Sequence, residues 1–223
     1  MTDFATARRM MVDGQVHTSD VADPRILAAM LELPRERFVP QDKAGLAYLD
    51  LDLPVTPAKP GQAARCLLKP MVLAKMVQAA ALTADDHVLE VGCATGYSAA
   101  LLARLAGSVV ALEEDEALAR LARENLAAVG AASATVVTGP LTQGWQESAP
   151  YDVIFVNGAS EIVPQALARQ LKEGGRLVAV LGRAPVSQAM VYRRVGGEIS
   201  GWPVFDAAAP LLPGFAAPPA FVF

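Results

Sequence analysis

The sequence predicts an α/β fold: a doubly wound, mostly parallel sheet with helices on both faces, a C-terminal antiparallel hairpin and a helical N-terminal region. Three observations carry this expectation. From His87 onward, short β-type runs alternate with helical stretches, the pattern of right-handed βαβ units. Two later β-type runs, residues 188–195 and 198–205, flank Gly196-Gly197, which reads as a two-residue hairpin turn. Residues 1–60 carry helical spacing and proline breaks instead.

Residues 4–16 have helical spacing, and Asp23-Pro24 opens a second helix. Asp23 can accept from free backbone N–H groups, and Pro24 loses nothing at the first helical position. Ile26, Leu27, Met30 and Leu31 form the apolar stripe of that helix, and Pro34 ends it. Residues 49–59, broken by Pro54 and Pro57 and followed by Pro60, read as a loop. Residues 70–81 are again helical and apolar. Strands follow at 88–91, 109–112, 134–137, 153–156 and 177–181. Helices are expected at 98–105, 116–129 and 163–172, with Gly174-Gly175 turning the chain into the last of these strands. After Asp206, Pro210, Pro213, Pro218 and Pro219 predict a tail extended over the surface, with Phe221-Val222-Phe223 packed on the body. The sequence has no internal repeat.

Composition excludes several classes. Hydrophobic residues make up 53% and charged residues 19% of 223 residues, too apolar for general disorder. The mean hydropathy of +0.32 raises the question of a membrane. However, Lys75 and Arg104 interrupt the long apolar stretches, and none reaches the ~18–20 residues of a spanning helix. Arg8-Arg9 arrives early, with no apolar core of a signal peptide behind it, so a soluble, cytoplasmic protein is expected. The net charge of −4 argues against a protein that displaces counterions from a nucleic-acid backbone. Two cysteines, Cys66 and Cys93, without CxxC spacing, and two histidines, His17 and His87, supply neither a zinc cage nor other metal chemistry.

The most informative stretch is Val88-Leu89-Glu90-Val91-Gly92-Cys93-Ala94-Thr95-Gly96-Tyr97. A buried strand ends in a turn of small residues that passes straight into a helix. Small residues admit a ligand close to the backbone, and free N–H groups at a helix start favour an anionic group. In a doubly wound sheet this turn lies at the carboxyl edge, where ligands bind; ordinary strand-to-helix connections also favour small residues. Glu113 ends the second strand, 21 positions after Gly92, where a carboxylate accepts from ribose hydroxyls. The acidic run Glu113-Glu114-Asp115-Glu116 also suits the positive end of the next helix.

A dinucleotide turn wants Gly-x-Gly-x-x-Gly, but Ala94 and Tyr97 stand at its second and third glycines. That disfavours NAD or FAD. Glu90-x-Gly92-x-Ala94-x-Gly96 instead matches, with one substitution, the pattern of S-adenosylmethionine-dependent methyltransferases. There the turn cradles the methionine part and the downstream acid holds the ribose.

With these residues in view, the chain resembles the protein-L-isoaspartate (D-aspartate) O-methyltransferase family along nearly its full length. The N-terminal region carries Arg9-Met10-Met11-Val12 with Gln15, Asp23-x-Arg25-x-Leu27-x-Ala29-Met30, Pro34-Arg35-Glu36-x-Phe38-Val39-Pro40 and Ala47-Tyr48. Leu89-Glu90-Val91-Gly92 through Gly96-Tyr97 is similar to the family's cofactor turn. Tyr151-Asp152-Val153-Ile154 and Leu171-Lys172-Glu173-Gly174-Gly175-Arg176-Leu177-Val178 are similar to its later strands.

The resemblance implies a Rossmann-like methyltransferase domain over residues 61–223 behind a helical region over 1–60. It implies S-adenosyl-L-methionine as cofactor and a damaged protein or peptide as substrate, methylated at the carboxylate of isoaspartyl residues. Glu90, Gly92, Cys93, Ala94, Gly96, Tyr97, Glu113 and Asn157 are the expected cofactor-binding residues, and Cys66, Leu68 and Lys69 the acceptor loop. Asn157 and Gly158, ending a strand at the same sheet edge, line the pocket in this reading; Asn is also a common turn residue. Cys93 serves as a small turn residue and His87 as a structural one.

Two departures stand out. Leu68 occupies the place of the family's acceptor-site serine, and Pro140 that of an acid that helps hold adenosine. Leucine offers no hydrogen bond, though Lys69 can pair with a carboxylate. These departures leave open a member that binds cofactor or a partner without catalysis, or that methylates another acceptor.

Overall fold

We describe residues 3–58, 63–183 and 185–218 of a computed structural model. The expectations at Lys59, Pro60, Pro219 and Phe221-Val222-Phe223 fall outside these. Helix α1 (Phe4–Met11) starts where the Asp3 carboxylate accepts from the Ala5 and Thr6 N–H groups. It continues as wider helical turns over Val12–Val16 and a 3₁₀ turn over His17–Ser19. Asp23 accepts from the Arg25 N–H to open α2 (Pro24–Glu32). Leu33 is extended, with φ −75° and ψ 122°, as the residue before a proline prefers. Two 3₁₀ stretches follow, Arg35–Phe38 and Gln41–Leu46. The expected loop over 49–59 contains a strand, β1 (Leu53–Pro54), which pairs antiparallel with β2 (Cys66–Leu67). Sequence pattern cannot register so short a pairing.

The main unit runs α3 (Pro70–Ala80), β3 (His87–Val91), α4 (Tyr97–Leu102), β4 (Ser108–Glu113), α5 (Glu116–Ala128), β5 (Ala134–Thr138), β6 (Tyr151–Ser160), α6 (Gln165–Ala168), β7 (Leu171–Arg183), β8 (Val186–Val195) and β9 (Glu198–Asp206). Its seven strands lie in the order β5-β4-β3-β6-β7-β8-β9. The pairs from β5 to β7 are parallel, and β8 and β9 add antiparallel. The order reverses between β3 and β6, so the crevice between them is the topological switch point where open α/β sheets bind ligands. Gly196 and Gly197 take φ of +61° and +83°, as a two-residue hairpin whose twist matches its strands requires.

Alternation along the strands builds two apolar layers. Val88, Val109, Ala111, Val153 and Phe155 face the layer shared with the N-terminal region, α3 and α4. Leu89, Val91, Val110, Leu112, Ile154 and Val156 face the other. By the same two-residue period, Glu90, Glu113 and Asn157 project from the first of these faces.

Two regions correct the sequence reading. The helix expected over 163–172 is a single turn, because Leu171 already pairs with Tyr151 and opens β7. Gly174-Gly175 then bulges within β7, between the pairs Tyr151↔Leu171 and Val153↔Arg176. The tail, in turn, does not run free over the surface. The Ala159 N–H donates to the Pro210 carbonyl (2.8 Å), and the Leu212 N–H donates back to the Ala159 carbonyl (3.0 Å). Leu212 and Phe215 are buried in the second apolar layer. The prolines forbid a helix there, but the apolar side chains between them find uncovered surface at the end of β6.

Among the described residues no helix is long and apolar enough to cross a membrane. Docking of the tail is testable. Phe215→Ala should lower unfolding free energy in urea by about 3–5 kcal/mol, the range for truncating a buried aromatic. A loss below about 0.5 kcal/mol is what an exposed site gives.

Candidate functional site

The turn after β3 is held by the sheet itself. The Gly92 and Cys93 N–H groups donate to the Leu112 carbonyl (2.8 and 3.1 Å), and the Gly96 N–H closes onto the Cys93 carbonyl (2.8 Å). Gly92, Ala94 and Gly96 have φ of +86°, +50° and +95°. At Ala94 this conformation is uncommon for a residue with a Cβ. A Cβ on Gly96 would meet the Ala122 backbone at 3.3 Å, so glycine there lets α4 and α5 approach. Asn157 does not end its strand as expected but lies within β6, which continues to Ser160, and it donates from Nδ2 to the Gly92 carbonyl (3.1 Å) and to Ser98 Oγ (2.8 Å). The Cys93 thiol is fully buried, and burial pushes it well above the usual thiol range, so it stays protonated. The Tyr97 ring turns toward the N-terminal region, edge-on to Phe38 at 5.4 Å and under the Arg35 guanidinium at 4.7 Å.

The two carboxyls that share this edge are treated very differently. Glu90 is fully buried, with no cationic partner among the described residues and only the Ser98 hydroxyl acting on it as a weak donor. Burial, reinforced by the nearby Glu113 charge, pushes its carboxyl up to about 8. Glu113 is equally buried but fully partnered. Oε2 accepts from the Ala94 N–H (2.8 Å), joining it to the turn, and Oε1 accepts from the N–H groups of Glu114 (2.9 Å) and Asp115 (3.2 Å). The Arg65 guanidinium grips both oxygens, Nη1 to Oε1 at 2.5 Å and Nη2 to Oε2 at 2.9 Å.

Arg65 and the tail also occupy the space over the turn. A Cβ on Gly92 would lie 3.1 Å from Arg65 Nη2 and 3.0 Å from Leu212 Cδ2. Beside Glu113, a recess of about 470 Å³ lined by Glu114, Asp115, Gly139 and Pro140 stays open.

The segment from Cys66 to Pro70 is pinned from three sides. β1 pairs with it, the buried Arg35 donates to the Leu68 carbonyl (2.7 Å) and the Ala47 carbonyl (2.8 Å), and Asp52 accepts from the Lys69 N–H (2.9 Å). The Leu68 side chain is buried in the apolar layer. Lys69 is half-buried at the start of α3, and Cys66 is half-buried with its thiol pushed by burial up to about 11.

The family model for Protein-L-isoaspartate(D-aspartate) O-methyltransferase matches residues 7–203. The chain belongs to this family. The Methanoregula boonei protein-L-isoaspartate O-methyltransferase is 42% identical over 191 residues, 86% of this chain and 85% of that protein. Its Methanoculleus marisnigri counterpart is 43% identical over 175 residues, 78% of this chain and 77% of that one. A solved protein-L-isoaspartate O-methyltransferase superposes with a TM-score of 0.79 at 27% identity, covering 93% of this chain and 66% of that chain. A putative Plasmodium falciparum homologue, solved with S-adenosyl-L-homocysteine, shares the fold at 16% identity and a TM-score of 0.76, covering 95% of this chain and 99% of that chain.

The residues present suit this family's sulfonium nucleoside in kind. Buried oxygens on Glu90 and on Asn157 (Oδ1), a left-handed glycine turn, and a carboxylate at the end of β4 lie together at the switch point between β3 and β6. Arg65 and Leu212 are the exceptions, because they close over Gly92. Sequence reasoning missed both. Arg65 is the one charged residue between Lys59 and Lys69, which is a signal, but its partner lies 48 positions away and no local period points to it. His87 is structural, with its ring nitrogens at Ser108 Oγ (2.7 Å) and the Ser148 carbonyl (2.9 Å) and its face on Tyr151.

The raised Glu90 value makes stability depend on pH. The folded carboxyl holds its proton to about 8, while the unfolded one releases it near ~4.3. The contribution is therefore fully present below the unfolded value and is lost as pH rises through the folded one. Melting temperatures of wild type and Glu90→Gln should be similar near pH 4–5, and the variant should gain relative to wild type up to pH 8. By linkage the gain reaches a few kcal/mol in order of magnitude; parallel melting curves across this range would contradict it.

Proposed function

We propose that this protein transfers the methyl group of S-adenosyl-L-methionine to the carboxylate of isoaspartyl residues in damaged proteins or peptides, in the cytoplasm. The observation that carries this reading is the meeting of the glycine turn and the Glu113 carboxylate at the switch point, linked by the Ala94 N–H at 2.8 Å, in a chain of this family. The turn from Gly92 to Gly96, with Glu90 and Asn157, holds the amino-acid end of the cofactor. Glu113 receives the ribose hydroxyls, and the recess at Glu114, Asp115, Gly139 and Pro140 takes the base. Residues 1–60 wall the acceptor side, and residues 61–223 hold the cofactor.

The chemistry asks little of the side chains. An isoaspartyl carboxylate, with a pKa of about 4, is ionised at neutral pH and needs no general base. The cofactor supplies an electrophilic methyl group: a carboxylate oxygen forms the new O–C bond while the S–C pair returns to sulfur. What the protein contributes is alignment and exclusion of water, which can provide roughly 7–11 kcal/mol. With Leu68 in place of a hydroxyl, the pinned backbone from Cys66 to Lys69 and the Lys69 ammonium position the acceptor. Pro140 removes one charged acceptor near the nucleoside, a loss of about 1.5–3 kcal/mol, or roughly 10- to 100-fold in affinity.

The test is transfer of labelled methyl from S-adenosylmethionine to an isoaspartyl peptide, with the normal aspartyl peptide as control. Base-labile label on the isoaspartyl peptide alone is expected. No transfer at high concentrations of folded enzyme, or equal labelling of both peptides, would overturn the assignment.

A further inference from the structure

We propose that Arg65 is a built-in competitor for the cofactor: its guanidinium occupies the ribose-binding face of Glu113, and the site admits a nucleoside only when that side chain swings away. The inference rests on the cofactor reading above. A carboxylate presents about four lone-pair directions, and Glu113 already receives five hydrogen bonds. Three come from the backbone N–H groups of Ala94, Glu114 and Asp115, which are fixed by the turn and the start of α5. The two from Arg65 are the side-chain donors, one on each oxygen. A ribose diol also presents two donors to the two oxygens of a carboxylate, so diol and guanidinium compete for the same positions.

The steric evidence is independent of this count. Gly92 lacks a Cβ where a ligand has to approach, yet the space is taken by Arg65 Nη2 and Leu212 Cδ2. Movement of the guanidinium does not require the strand to move. The Arg65 N–H donates to Thr56 Oγ1 (2.9 Å) and its carbonyl accepts from the Val55 N–H (2.8 Å). These anchor the backbone while leaving the side-chain torsions free. Leu212 follows from the tail's attachment to Ala159 and Gly158, where a Cβ would lie 2.7 Å from Leu212 Cγ.

Calorimetric titration of the full chain with S-adenosylhomocysteine tests the competition, with circular dichroism confirming the fold of each variant. Arg65→Gln should bind at least tenfold tighter than wild type. Arg65→Lys, which keeps the charge but loses the two-pronged grip, should fall between them and serves if the glutamine variant does not fold. Leu212→Ala should tighten binding a few-fold while Arg65 is intact. If wild type binds and neither Arg65 variant binds more tightly, Arg65 is a plain structural counter-ion and the proposal falls. If wild type and all folded variants fail to bind, the cofactor reading itself fails instead.

Discussion

A carboxylate taken wholly out of water must be surrounded by donors, because desolvating an ion costs several kcal/mol even after the protein relaxes. Glu113 is the point where this chain meets that demand, and much of the site's shape follows from it. The donors come from three separate places: the turn after β3, the first turn leading into α5, and the strand β2 region through Arg65. Satisfying one side chain therefore ties the turn after β3, the second βα connection and the segment leading into β2 into one arrangement.

Glu90 makes the contrast instructive. It projects from the same sheet face and is buried to the same degree, yet among the described residues it has no cationic partner and none of the backbone donors that Glu113 has. Two buried acids cannot both be charged side by side at small cost. The structure resolves this by giving Glu113 the guanidinium and leaving Glu90 its proton, with a value pushed up to about 8. The edge of the sheet thus carries one compensated charge and one neutral acid, and a protonated carboxyl is a donor as well as an acceptor. Asn157, with Nδ2 used and Oδ1 unpartnered, adds a second buried acceptor on the same sheet face.

How much of this was legible depended on the range of the interaction. The parallel strands, the turn from Gly92 to Gly96 and the Gly196-Gly197 hairpin were readable because local pattern and local conformation coincide there. The end of β4 at Glu113 was readable from its spacing, since a βα unit has a nearly fixed length. Arg65, by contrast, meets Glu113 across 48 positions, and Leu212 reaches Gly92 across a still longer span; neither distance is encoded in a period. The tail misled for a related reason. Its prolines report backbone conformation, whereas its fate was decided by Leu212 and Phe215 finding an open apolar surface at the end of β6. The short α6 shows tertiary pairing overriding helical propensity, since the Tyr151↔Leu171 ladder claims residues that spacing assigns to a helix.

Leu68, which departs from the family pattern, and Arg65 are connected through this geometry. Leu68 lies on the pinned segment and Arg65 immediately precedes it, one buried in the apolar layer and the other gripping Glu113. Stripping a partner from a buried ion pair typically costs about 3–5 kcal/mol, which alone would weaken a ligand by more than a hundredfold. In the proposed exchange a ligand would recover part of this, because two hydroxyls would replace the two guanidinium donors and the released arginine would regain water. It does not recover the charge neutralisation. A nucleoside that also carries a cationic group offsets that deficit within the same crevice, whereas an uncharged nucleoside leaves it open. A guard of the proposed kind would therefore discriminate among nucleosides by charge.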